Sequence, residues 1–139
     1  MIPPSVLRAI QAHGEAAYPE EGAGLVLGRV TDGRTTAVEI LPLVNRWGPE
    51  EQTHRFLLTD REWRYGEAEA ERRGLDLIGC FHSHPEHVAE PSEFDREAAW
   101  PNFLYIITSV EKGCATFSRA WQLKENRSAF EEQPIQEIL

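Results

Sequence analysis

The 139-residue chain predicts an α/β (α+β) fold: one layered sandwich, residues 1–139, with a central mixed β-sheet flanked by helices. Three observations carry this. Amphipathic and charged helical segments are interspersed with short apolar runs of strand length. They do not follow a strict βαβ rhythm, which points to a mixed rather than an all-parallel sheet. At 41% hydrophobic and 27% charged residues, the composition supports one ordinary core and is unlike that of a disordered chain.

The elements follow in order. Pro4 to Ala17 places apolar residues at Val6, Leu7, Ile10 and Ala17, the spacing of an amphipathic helix, stopped by Pro19. Gly24 to Val30 is an apolar strand. Asp32-Gly33 is a hairpin turn, and Thr36 to Val44 is the return strand. Arg46 to Gln52 is polar with Gly48 and Pro49 and reads as a loop, and His54 to Leu58 as a short strand. Thr59 with Glu62 has capping-box spacing and opens a charged helix that ends at Gly74. Leu75 to Phe81 (LDLIGCF) is a strand running straight into His-Ser-His-Pro. Ser92 to Ala99 is a short helix and Phe103 to Val110 (FLYIITSV) a buried strand. Lys112-Gly113 turns the chain into Ala115 to Leu123, and the acidic tail from Lys124 closes with one more short element.

Charge and composition exclude some functions. A net charge of −9 opposes nucleic-acid binding, which needs a basic face. The N-terminus, MIPPSVLRAI, has neither a basic leader nor a long apolar stretch, so the expectation is a cytoplasmic protein with no membrane span. Cys80 and Cys114 are too few for a disulfide scaffold and match no metal knuckle, and read as two buried thiols. Trp47, Trp63, Trp100 and Trp121 could supply an interface patch, which leaves a homodimer open.

Three of the five histidines fall within FHSHPEH, residues 81–87. On an extended strand, side chains two apart share a face, so His82 and His84 converge. Asp95, at the start of the following helix, can return against the strand end through a turn containing Pro85 and Pro91. Two imidazoles and one carboxylate leave a fourth tetrahedral position open, the arrangement of a catalytic zinc rather than a closed structural one. Singly, each residue also has a plain structural explanation. Ser92 and Asp95 equally suit an ordinary helix start, with serine as N-cap and aspartate favoured by the helix dipole. The pattern His-x-His-x7-Ser-x2-Asp, fixing four residue types at once, is far more specific than any one of them.

His82-Ser-His84-Pro85, followed by Ser92-x-x-Asp95, resembles the signature of the JAMM/MPN+ metalloproteases, small prokaryotic members in particular. That family carries its glutamate upstream in a Pro-x-Glu-x-Cys-Gly segment, and Pro19 to Gly28 (PEEGAGLVLG) is similar, placing the glutamate at Glu21. Spacing to Gly24 favours Glu21 over Glu20. Ala23 departs from the pattern at a cysteine position that is not a metal ligand. The stretch from Asn45 to His54-Arg55-Phe56 and the approach Leu77 to Phe81 add to the resemblance, which covers roughly Met1 to Leu123.

The resemblance implies one Zn2+ per chain held by His82, His84 and Asp95. It implies Glu21 as the general base that takes a proton from water and returns it to the leaving amine. Ser92 would hydrogen-bond the oxyanion, worth ~3 kcal/mol in comparable sites. It also implies hydrolysis of a peptide or isopeptide bond after the C-terminal Gly-Gly of a ubiquitin-like or sulfur-carrier protein of β-grasp fold. Two alternatives stand beside it. A non-catalytic MPN-type interaction scaffold would lack histidines or aspartate, whereas every motif position is present here. A nucleoside deaminase would need Pro-Cys-x-x-Cys, which the two cysteines do not form.

Overall fold

A computed structural model describes residues 2–43, 60–91, 103–133 and 135. Expectations for the Arg46–Gln52 loop, the His54–Leu58 strand and the Ser92–Ala99 helix therefore lie outside the described residues, as do the cap Thr59, Asn45, Trp47 and Trp100.

Helix α1 spans Pro4–Ala17. Pro4 suits the first turn, where its missing N–H has no intrahelical partner to lose. Val6, Leu7, Ile10 and Gly14 are the buried positions, a stripe of helical spacing that faces the sheet. Gly14 is there for contact: a Cβ would stand 3.2 Å from Ser83 Cβ and 3.3 Å from Val110 Cγ2, so its absence lets the helix settle onto the strands.

Strand β1 (Ala23–Thr31) and β2 (Arg34–Leu43) form a hairpin. Asp32 and Gly33 take φ of 51° and 76°, the left-handed pair of a type I′ turn that matches strand twist. Helix α2 covers Asp60–Arg72. It ends in a Schellman motif, Leu75 N–H donating to Ala70 O at 2.8 Å and Gly74 N–H to Glu71 O at 3.1 Å, with Gly74 at φ 68° where a side chain would be strained. Then come β3 (Asp76–Pro85), β4 (Leu104–Glu111), β5 (Cys114–Leu123) and β6 (Phe130–Gln133). The last supplies the closing element expected of the tail.

The six strands make one mixed sheet in the order β2-β1-β3-β4-β5-β6, parallel only between β3 and β4. The central strands β1, β3 and β4 are buried along most of their length. That is why their sequences are near-continuous apolar runs rather than alternating ones. Val26, Ile78, Phe81 and Ile106 point to the α1 face, joining Val6, Leu7 and Ile10. Leu25, Leu27, Cys80 and Tyr105 point to the other, beneath Ala70 and Trp63 of α2. The result is a helix–sheet–helix sandwich with a core on each side. Each fully buried side chain such as Ile10, 1% exposed, contributes ~1.5–3 kcal/mol over leaving it in water.

The expectation of two buried thiols needs correction. Cys114 opens β5 in an exposed position, and only Cys80 is buried. The strand-opening site beside the Lys112-Gly113 turn puts the Cys114 side chain in solvent. Trp63 and Trp121 are partly buried and pack against the α2-side core.

Candidate metal centre

The site is built by strand parity. In β3, Ser83 faces α1, as its contact with Gly14 shows, so His82 and His84 face the opposite side. Antiparallel pairing sets Ala23 against His82. The Ser83 N–H then donates to Gly22 O at 2.9 Å and the Gly22 N–H to Ser83 Oγ at 2.8 Å. Continuing that register by one more residue brings Glu21 opposite His84, on the histidine side. Glu21 and His82 are each 4% exposed, whereas Glu20 is exposed. The carboxylate selected by its spacing to Gly24 is the one that turns inward.

One ligand atom from each of Glu21, His82 and His84 lies within 4.8 Å of the others. The two imidazole Nε2 atoms are 3.1 Å apart. Two nitrogens at zinc distances and a tetrahedral angle would be separated by about 3.3 Å, so the donor set fits such an ion closely. His84 Nδ1 lies 2.9 Å from Val88 O. A carbonyl only accepts, so Nδ1 carries the hydrogen and Nε2 keeps its lone pair, the tautomer a metal requires. Ser92 and Asp95 lie outside the described residues.

The loop leaving β3 is fastened on several sides. The Glu86 N–H donates to Val110 O at 2.8 Å, and its carboxylate accepts from Tyr18 Oη at 2.5 Å and from the Lys112 N–H at 2.6 Å. The hydrogen bond from Tyr18, first, and that from Lys112 hold the Glu86 carboxyl below its usual range. Ser109 Oγ donates to His87 O at 2.5 Å. Neither composition nor motif spacing singles out Tyr18, Ser83, Glu86, Val88 or Ser109. A signal existed for Ser109: Thr108 and Ser109 are polar residues inside an apolar run, at 0% and 1% exposure. Val88 acts through its backbone, which leaves no mark in a sequence.

The fold and this donor set define the JAMM type of metal-dependent protease site. A family model described as prokaryotic homologs of the JAB domain matches residues 3–124, and the chain belongs to that family. Among relatives, a probable TtuB-protein conjugate cleaving protease of Thermus thermophilus is 32% identical over 111 residues, 79% of this chain and 70% of that protein. Desampylase of Haloferax volcanii is 50% identical over 42 residues, 30% of each chain, so that match spans well under two thirds of the relative. Among solved structures, a Salinibacter ruber protein has 41% identity and a TM-score of 0.78, covering 99% of this chain and 90% of that one. A JAB1/MPN domain protein of Archaeoglobus fulgidus has 21% identity and a TM-score of 0.64 over 99% and 98%, a likeness of fold. No helix among the described residues is long and apolar enough to cross a membrane.

Proposed function

We propose that the chain is a zinc-dependent peptidase that cleaves a peptide or isopeptide bond directly after the C-terminal Gly-Gly of a ubiquitin-like or sulfur-carrier protein. The observation that carries this is the convergence of Glu21, His82 and His84 within 4.8 Å, with the His84 tautomer fixed for ligation. The relative named as a probable TtuB-protein conjugate cleaving protease favours this substrate class.

His82 and His84, with Asp95, hold one zinc ion per chain. Zinc there supplies Lewis acidity, making water nucleophilic near neutral pH and polarising the scissile carbonyl. Glu21 accepts the proton of the attacking water on a carboxylate oxygen and delivers it to the leaving amine. Burial of Glu21 keeps bulk water from competing for that proton. Ser92 donates a hydrogen bond to the developing oxyanion. A Gly-Gly tail suits a site at strand ends, since it lies extended and offers no Cβ to the walls. The free thiols Cys80 and Cys114 fit a reducing cytoplasm.

The test is a β-grasp carrier ending in Gly-Gly fused to a reporter, with both fragments weighed by mass spectrometry. Cleavage after the second glycine, abolished by chelator and restored by zinc, is the expected result. Binding of the carrier without cleavage at any zinc concentration would instead make the chain an MPN-type scaffold.

A further inference from the structure

Residues 86–90 fold back from the end of β3 over β4 and β5, and only Val88 has an exposed apolar side chain, at 62%. Its carbonyl, however, accepts the His84 Nδ1–H. That carbonyl belongs to the peptide plane joining Val88 to Ala89, so its direction depends on how Ala89 is held. Ala89 is fully buried, at 0% exposure, and its own carbonyl accepts the indole N–H of Trp121 at 2.9 Å. Trp121 lies in β5 opposite Tyr105, with the Arg119 guanidinium 4.8 Å over its ring. Arg119 in turn pairs with Glu90 at 3.0 Å and with Glu132 at 2.6 Å. β5 thus holds this loop at two neighbouring points, the Ala89 carbonyl through Trp121 and the Glu90 carboxylate through Arg119.

We propose that Trp121 is a positioning residue of the metal site: through Ala89 its indole N–H aims the Val88 carbonyl, and so holds His84 as the Nδ1–H tautomer. Trp121 acts through the loop backbone, its indole N–H donating to the Ala89 carbonyl. Its influence on the metal rests on His84 being a ligand, as proposed above. Its influence on the tautomer does not. Partners of this kind alter metal affinity by roughly 10–100-fold when removed.

Trp121→Phe keeps an aromatic ring under Arg119 and deletes the donor together with the second ring of the indole. In the full-length protein without metal, at about pH 8.5, nitrogen-15 spectra of the wild type should show His84 in one tautomer. The variant should show a mixture. Zinc dissociation constants by chelator competition should rise about tenfold or more, with the melting temperature as the control for fold. A single unchanged tautomer together with zinc affinity within about twofold of wild type would overturn the proposal. If Trp121→Phe does not fold, Ala89→Gly loosens the same pivot without touching β5, and the same two readings decide. A wild type with one tautomer and no zinc uptake would defeat the metal reading while the tautomer comparison still judges Trp121.

Discussion

The two faces of β3 differ by one residue in sequence and entirely in what they do. On one face Ser83 lies 2% exposed under α1, accepting the Gly22 N–H and binding strand to strand. On the other, the Nε2 atoms of His82 and His84 lie 3.1 Å apart, with a Glu21 carboxylate oxygen within 4.8 Å of both residues' ligand atoms. The same antiparallel pairing serves both. Ser83 closes the β1–β3 pair, and that closure carries Glu21 to the histidines. Parity therefore separates the residue that holds the strands from the proposed metal ligands, and variants on the two faces should fail in different ways.

The largest effect belongs to the histidine face. His82→Ala should retain the fold by circular dichroism while zinc content drops below ~0.1 per chain and peptidase activity falls on the order of 1,000-fold. A variant that keeps stoichiometric zinc would move the ligand set elsewhere. Next comes Glu21→Gln, which should keep zinc and lose at least ~100-fold in activity, whereas Glu20→Gln should change little. Loss of zinc from Glu21→Gln would make this carboxylate a ligand instead of the base.

The α1 face should report on stability. Ser83→Ala leaves the buried Gly22 N–H without its acceptor and should cost about 1–3 kcal/mol in urea unfolding, with zinc content unchanged. Zinc lost in step with stability would show that the faces are coupled more tightly than parity suggests. The smallest effect concerns His13 on α1, whose ring meets Phe81 edge-to-face at 5.7 Å. Burial, above all, lowers its pKa, against a raising hydrogen bond with the Ala23 backbone. The unfolded chain then takes up the proton more readily than the native one. The native state loses stability as pH falls through about 6.5 towards the lower folded value. His13→Gln should flatten the stability profile between about pH 7 and 5; an unchanged slope would assign that acid sensitivity to other groups.

Much of this was legible in the sequence, for identifiable reasons. α1 runs from Pro4 to Ala17 as expected, because proline placement and apolar spacing are local signals. The same-face relation of His82 and His84 is local too. What β3 adds is length: its pairing with β4 continues to Pro85 opposite Val110, so the histidines sit inside the strand rather than after it. The approach of Glu21 depends on the register of strands some sixty residues apart, which periodicity alone does not encode; only the family resemblance pointed to it. The contact of Trp121 with Ala89 has no local signal, because a tryptophan in a half-buried strand does not reveal which loop will lie against it. Backbone acceptors such as those of Val88 and Ala89 have no residue signature at all.

The two left-handed hairpin turns carry a consequence for how such a chain can diversify. Asp32-Gly33 and Lys112-Gly113 have nearly the same backbone, with φ of 51° and 76° in one and 50° and 83° in the other. They stand at opposite ends of the sheet. At Asp32-Gly33 an added Cβ on the glycine would meet nothing within 4 Å, and the neighbouring residues 29–34 are all exposed. Insertions, tags or new termini placed there extend into solvent at a distance from the histidines. At Lys112-Gly113 the turn amide is already committed to Glu86, and Tyr18 lies 3.8 Å from where a Cβ on Gly113 would stand. Lengthening that turn pulls on the loop that seats His84. Of two turns with the same geometry, one is open to insertion and the other is held to its present length by the site beside it.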